Sequence, residues 1–340
     1  MKEVLLHIGM HKTGTTSIQS SLRDYDDGRT RYARFTNINH SIPIITIFSK
    51  DRDNYHIWKR IGLTPAQIEK KRRAFLEDLT RDCSDESRER LVISGEGISR
   101  LEGDEREELL NFFHGYGLKV KVICFVRSPG GFIPSVFQQG IKQGAKTVHP
   151  IDLSYRRVLS TFADLLSKED IKVVDFAKVM EAHGDSTLGF ASIAGLTNVK
   201  SQRENEALSA SAAKLIFRLN QLPLETLGSR QKVAARRSVM TALSEAYPVG
   251  DDADKLDKGI FQKLVKPKIA GEIAYLKENF AITFDAPARK TDVAAVESYL
   301  NDLSSIDTRP MRALLEGHGI TCHDTDDIDG MLRAFFQSFR

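Results

Sequence analysis

Four short apolar runs punctuate the first half of the chain, and each is joined to segments with helical spacing. Val4 to Ile8 runs into Gly9-Met10-His11-Lys12-Thr13-Gly14-Thr15-Thr16, after which Ile18 and Leu22 fall four apart on one helical face. Leu91 to Ser94 ends in Gly95-Glu96-Gly97, and the spacing predicts a helix over Asp104 to His114. Val120 to Val126 ends in Arg127-Ser128-Pro129-Gly130-Gly131, with a helix from Phe132 to Gln143 beyond it. A helix over Leu153 to Leu166 leads to the fourth run, Ile171 to Phe176. Thr64-Pro65 opens a further helix reaching Leu79, with Thr64 as N-cap and Pro65 in the first helical position. The stretch from Arg29 to Lys50 reads as irregular, apart from the apolar Ile42 to Ile45. Strands that are apolar on both faces and alternate with helices predict an α/β fold, a parallel sheet sandwiched by helices.

After about residue 200 the pattern is helical. Leu208 to Leu222, Val233 to Ala246, Gly259 to Phe280, Val293 to Leu303 and Ile328 to Phe339 all carry helical apolar spacing. The expected organisation is an α/β domain over residues 1–220 and a helical extension over 221–340, packed on that domain or completing it. A length of 340 residues suits one elaborated domain or one domain with a small partner. With 41% hydrophobic and 28% charged residues, collagen-like, mucin-like and wholly disordered chains are excluded. The 49 Lys and Arg barely outnumber the 46 Asp and Glu, so the balance indicates neither a nucleic-acid partner nor a membrane surface. Any anion site must come from local clusters. Cys83, Cys124 and Cys322 are scattered, without a CxxC, which predicts neither a disulfide framework nor a metal site. Cys124 sits in an apolar run and reads as a small core residue. No apolar stretch approaches the ~18–20 residues of a membrane helix, and Val4-Leu5-Leu6 is too short for a secretory leader. The expected location is cytoplasmic; the oligomeric state is not legible.

In parallel sheets, ligands bind beyond the carboxyl ends of the strands. Three segments therefore carry the candidate chemistry. In the first loop, Gly9 and Gly14 permit close backbone approach, and the amides of Thr13 to Ser17 cap a helix whose positive end favours an anion. Lys12 adds a full charge, and Thr15, Thr16 and Ser17 add hydroxyls. Gly9 and Gly14 stand five apart as in the pattern G-x-x-x-x-G-K-[ST], but residue 15 is Thr and the lysine lies inside the loop. No strand end supplies a clear magnesium carboxylate, as an ATP-using phosphotransferase needs. In the second segment, Arg127 ends a strand and Ser135 follows eight residues on, a pair suited to one dianion. In the third, Glu96 follows a strand and is a candidate general base, or else an ion-pair partner of Arg100. His11 adjoins the loop, His40 lies in Asn39-His40-Ser41, and both are candidate acceptor-site residues. His7 reads as packed. Trp58 is a sugar-stacking or a core residue, Lys70 to Arg73 a solvated face, and Arg236-Arg237 a solvated pair or a glycan attractor.

Lys12-Thr13-Gly14-Thr15-Thr16 resembles the 5′-phosphosulfate loop of sulfotransferases that use 3′-phosphoadenylyl sulfate (PAPS). Val126-Arg127-Ser128-Pro129 with Ser135 resembles their 3′-phosphate segment. Ile93 to Glu96 is similar to a Ser-x-Glu strand end of bacterial carbohydrate-type members. Arg203 to Ser209 is similar to an Arg-x-Asn-x-Ser-Leu-Ser stretch, with Ala207 departing from it. His40 resembles a histidine after the first helix in such relatives. The matches lie within residues 4–209. The resemblance implies a P-loop-like fold and sulfuryl transfer from PAPS to a hydroxyl of a small molecule or glycan, with PAP as product and no metal required. Lys12, Thr13, Gly14, Thr15, Thr16 and Ser17 are then expected to hold the phosphosulfate, Lys12 and Glu96 to be catalytic, and Arg127 and Ser135 to hold the 3′-phosphate. Arg289-Lys290 is a candidate for the family's C-terminal basic loop. A P-loop kinase or other ATP-binding protein, and an inactive PAPS- or PAP-binding scaffold, remain open alternatives.

Overall fold

The structure is a computed structural model and describes residues 1–202, 207–224, 229–251, 254–285, 290–321, 323 and 327–339. Along the chain run β1 (Glu3–His7), α1 (Thr15–Leu22), β2 (Thr30–Tyr32), α2 (Ser41–Phe48), α3 (His56–Ile61), α4 (Pro65–Cys83), β3 (Arg90–Ser94), α5 (Gly103–Gly115) and β4 (Lys119–Val126). Then come α6 (Pro129–Lys142), α7 (Tyr155–Leu165), β5 (Ile171–Asp175), α8 (Phe176–His183) and α9 (Ser186–Ala194). Helices α10 (Ala210–Gln221), α11 (Ser229–Ala246), α12 (Lys258–Gln262), α13 (Ile269–Phe280), α14 (Val293–Asn301), α15 (Arg309–Gly317) and α16 (Ile328–Gln337) complete it. The chain forms two units, each built from several segments. The first is Met1–Ser128, Ser154–Glu204 and Gly271–Phe284; the second is Pro129–Leu153, Asn205–Ala270 and Asp285–Arg340. Residue 220 lies inside α10.

The first unit is α/β. Its five strands form one parallel sheet in the order β2-β3-β1-β4-β5. Val4 and Leu6 alternate with Leu5 and His7 along β1, and all four are buried, as a central parallel strand requires. One sheet face, formed by Leu5, Val92, Ile123 and Phe125, packs against Ile18 and Leu22 of α1 and Phe190, Ala191 and Ala194 of α9. Each such side chain contributes about 1.5–3 kcal/mol on burial. α5 packs on β4, and α7 on α5. Because His7 is level with Ser94 and Ile123, the loops after β1, β3 and β4 leave the sheet at one edge.

The second unit is helical. Phe137 of α6 meets Phe217 and Phe261 at ring distances of 5.5 and 5.0 Å. The Arg218 fork donates to both Asp329 oxygens, at 2.7 and 2.6 Å, tying α10 to α16. Among the described residues, no helix is long and apolar enough to cross a membrane.

Several elements depart from the apolar pattern. The stretch from Arg29 to Lys50 contains β2 and α2. A three-residue strand is too short for a period, and Pro43 stands in the first turn of α2, where a missing N–H costs little. Gly259 to Phe280 is two helices, interrupted before Pro267, because a proline restrains the residue ahead of it. Helix α9 carries no clear amphipathic stripe because six of its nine residues are buried. The expected cap at Thr64 forms: Thr64 Oγ1 accepts from the Gln67 amide at 3.4 Å, and Gln67 Oε1 accepts from the Thr64 amide at 2.9 Å.

The turn after β3 has no room for a side chain. A Cβ on Gly95 would stand 2.6 Å from the Ser41 amide nitrogen, and the Gly97 amide donates to Ser41 Oγ at 2.9 Å. Gly95→Ala is therefore expected to destabilise the fold by roughly 1–3 kcal/mol in urea unfolding, as overpacking against backbone does. Gly271→Ala, on a helix with open space around its Cα, should be neutral or stabilising. Equal midpoints for the two variants would contradict this account of the turn.

Candidate functional site

The loop between β1 and α1 is held in a conformation that side chains resist. Lys12 has φ 70° and Gly14 φ 75°. For glycine this is free; for lysine the left-handed region costs about 1–2 kcal/mol. Two contacts hold the turn. Thr13 Oγ1 donates to the Met10 carbonyl at 2.6 Å, and Arg127 Nη1 donates to the Lys12 carbonyl at 2.7 Å. Gly14 is further required because a Cβ there would meet Ser186 Oγ at 2.3 Å. Strain kept by surrounding bonds commonly marks a functional turn.

Helix α1 begins at Thr15 without a side-chain cap. Its first amides and dipole thus face the loop. Thr15 Oγ1 is buried and has no hydrogen-bond partner among the described residues, a costly state for a hydroxyl unless something occupies the space it faces. Thr16 is exposed and Ser17 buried. The start of α1 has the ingredients of an anion cradle, with Lys12 beside it.

Arg127 lies at the end of β4 and is half-buried. Its guanidinium stacks over Phe176 at 5.4 Å, and burial lowers its pKa to about 10. Among the described residues no carboxylate pairs with it. Tyr155 steadies the segment, its hydroxyl donating to the Arg127 carbonyl at 2.7 Å. Sequence reasoning singles out neither Phe176 nor Tyr155; a platform for an arginine has no pattern of its own. Ser135 is half-buried on α6 and belongs to the second unit.

Glu96 opens the short 3₁₀ turn after β3 and sits at the same sheet edge. Its partner is not Arg100. Glu96 Oε1 lies 2.9 Å from His11 Nδ1, and both side chains are partly exposed. With the His11 Nδ1 proton directed at Glu96, the ring's other nitrogen keeps a lone pair for an incoming proton. The structure thus joins the loop after β1 to the turn after β3 through a carboxylate–imidazole pair next to Lys12.

His40 is placed differently. It is fully buried, stacks on Tyr32 at 4.1 Å, and its Nδ1 accepts from the Ser94 amide at 3.1 Å. As it stands it presents no surface to an acceptor. His7 is also fully buried, its Nδ1 2.8 Å from Ser94 Oγ. The Gln19 amide donates to the Ser94 carbonyl at 3.0 Å, so Ser94 gathers three side chains under the turn. Trp58 is a core residue whose indole donates to Thr46 Oγ1 at 3.2 Å. Arg236 donates to the Ile141 carbonyl and is half-buried, and Arg237 is exposed. Cys124 is buried, and burial raises its thiol pKa to about 12. Residues 203–206 of the Arg203 to Ser209 stretch, Arg289 and Cys322 lie outside the described residues. Ser209 caps α10, accepting from the Ala212 amide at 3.1 Å.

A scan against models of known protein families found no match, and neither did a search of curated proteins.

Burial lowers the pKa of His7 to about 3; it does the same for His40, with a partial offset from the Ala33 carbonyl. A histidine held neutral in the fold protonates more readily when unfolded. Stability is then complete above the unfolded pKa and is lost as the pH falls below it. Between pH 7 and 5 each should cost roughly 2 kcal/mol. His40→Gln should flatten the pH dependence of urea unfolding by about that amount. An unchanged slope would show that His40 titrates normally in the fold.

Proposed function

We propose that the chain transfers a sulfuryl group from PAPS to a hydroxyl of a carbohydrate acceptor, on a P-loop-like turn after β1, leaving PAP. The observation that carries this reading is the Lys12–Arg127 arrangement. A lysine in a strained loop at an uncapped helix start is bonded through its carbonyl to an arginine that has no carboxylate partner among the described residues. Two anionic groups on one ligand answer that arrangement, one at the helix start and one at the arginine. The sequence resemblance adds Ser135 to the 3′-phosphate role.

The chemistry asks little covalent work of the protein. The acceptor oxygen attacks sulfur, the bond from sulfur to the bridging oxygen breaks, and the electron pair leaves with the phosphate of PAP. Lys12 and the amides of α1 meet the charge that develops on that phosphate. By analogy with phosphoryl transfer a loose transition state is expected. A sulfuryl group carries less charge than a phosphoryl group, so a lysine and a helix end suffice without requiring a metal. The acceptor's proton goes to the His11–Glu96 pair, in which Glu96 orients the imidazole and supports its positive charge. Such a base contributes ~10²–10⁴-fold.

Lys12→Ala separates binding from chemistry. If Lys12 acts on the leaving phosphate, turnover of labelled PAPS should fall by ~10²–10³-fold while PAP affinity changes far less. Turnover is read as radiolabelled sulfuryl transferred to a mixed glycan acceptor. Near-normal transfer at saturating PAPS would reduce Lys12 to a binding or surface charge.

A further inference from the structure

Two enclosed polar atoms meet at one point of the first unit. His7 is 0% and Thr15 4% exposed, and among the described residues neither His7 Nε2 nor Thr15 Oγ1 has a hydrogen-bond partner. Gly9 stands between them. A Cβ on Gly9 would lie 2.9 Å from Thr13 Oγ1, 3.0 Å from His7 Nε2 and 3.5 Å from Thr15 Oγ1. Three polar side chains therefore converge on one side of Gly9, and Thr15 is the first residue of α1. The point is the floor of the anion cradle.

The hydrogens available there can be traced. The Tyr32 hydroxyl donates to the Ile38 carbonyl at 2.7 Å. Burial raises the pKa of that hydroxyl, and the Ser94 side chain opposes the rise by donating to the phenolic oxygen. With its own hydrogen given to Tyr32, Ser94 Oγ accepts from His7 Nδ1, 2.8 Å away. Neutral His7 is then left with a lone pair at Nε2. Thr13 Oγ1, whose hydrogen goes to the Met10 carbonyl, also presents lone pairs. Two acceptors thus face the floor, and Thr15 has one hydrogen to share between them. An anion brought against this floor meets lone pairs unless a proton is added at Nε2.

We propose that His7 is an anion-binding residue of the cradle: when a fully ionised oxyanion, a sulfate or a phosphoanhydride group, occupies the start of α1, Nε2 takes a proton from solvent and donates it to an anion oxygen. This rests on the part of the sulfotransfer reading that puts a charged group at α1, and goes beyond it in adding a proton-linked cation to Lys12 and Arg127. An opposite charge in contact with the ring favours its charged form and replaces the hydration lost on burial. The ring packs on Ser94 of β3, Phe125 of β4 and Phe190 of α9. The titratable and charged groups at this end of those elements and in the loop are Glu96, His11, Arg127, Asp185 and Lys12, with Tyr32 and His40 beyond Ser94. Asp185 is engaged by the Thr187 and Leu188 amides and the Ser201 hydroxyl, and Glu96 by His11. His11 is the group whose titration imitates that of His7, so the test separates them. Free His7 is neutral, its pKa lowered to about 3 by burial. Its contribution to binding is therefore present below the pKa it has in the complex and is lost as the pH rises through that value.

Sulfate is the first probe, because it keeps one charge over the whole range used. Its affinity for the full chain, measured by calorimetry between about pH 5.5 and 7.5, should fall with rising pH by at most about tenfold per unit, the limit for one proton. His11→Asn should keep this dependence. His7→Asn, whose amide can still donate to Ser94, should lose it and bind sulfate roughly tenfold more weakly at the acid end. Nitrogen NMR of the unmodified chain reads the same proton without a variant: with sulfate saturating, the His7 ring should carry hydrogens on both Nδ1 and Nε2. A ring still bare at Nε2, as when water bridges it to the anion, would overturn the proposal. So would a hydrogen that has only moved from Nδ1 to Nε2, or an unchanged pH dependence in folded His7→Asn. PAP is the second probe. If PAP binds no more tightly than 5′-AMP while sulfate still protonates His7, the donor reading fails and the proposal stands. If PAP is preferred and His7 stays bare at Nε2, the donor reading stands and the proposal fails. Binding of neither anion ends both.

Discussion

A hydrogen bond of 2.7 Å from Arg127 to the Lys12 carbonyl joins the loops that follow the two central strands. Most of the candidate site depends on it. It holds Lys12 in a left-handed backbone that lysine does not favour, and it aligns the uncapped start of α1 with the end of β4. It also uses one edge of the Arg127 fork on backbone, and among the described residues no carboxylate pairs with the charge. The sheet makes this bond available. A parallel register with β1 between β3 and β4 delivers every loop of interest to one edge, and the buried alternation of Val4, Leu5, Leu6 and His7 fixes that register. A slip of one residue would turn His7 away from Ser94 and undo the polar support beneath Glu96.

That support separates two enclosed histidines from an exposed one. His7 and His40 are both enclosed by the fold and held neutral around Ser94. His11 is on the open side, against Glu96. Three histidines within the same small region thus have separate duties, set by burial and not by residue type. The carboxylate, meanwhile, is answered by an imidazole and not by Arg100.

The strands, the helices between them and the residues at the strand ends are legible in the sequence because a buried parallel strand is an uninterrupted apolar run. Lys12, Glu96 and Arg127 stand out as the polar residues that close such runs. What escapes has a physical reason in each case. β2 is three residues long and shows no period. α9 is buried nearly all round and shows no stripe. The His11–Glu96 contact joins residues 85 positions apart in the chain, and no local spacing announces it. Phe176 continues the apolar run of β5, yet it opens α8 and supplies the ring under Arg127. The neighbours of His40 in sequence point to an acceptor site; its stack on Tyr32 comes from a strand the pattern does not reveal.

The central claim is that the Lys12 loop and Arg127 together select a nucleotide with phosphates at both ends of its ribose. Calorimetric titration of the full chain with PAP and with 5′-AMP, in buffer without divalent cations, addresses it most directly. The account predicts that PAP binds and that removal of its 3′-phosphate weakens binding by ~2–4 kcal/mol, the range of a lost charge-assisted group that leaves Arg127 unpaired. Equal affinity for the two nucleotides, or preference for ATP with magnesium over PAP, would contradict it.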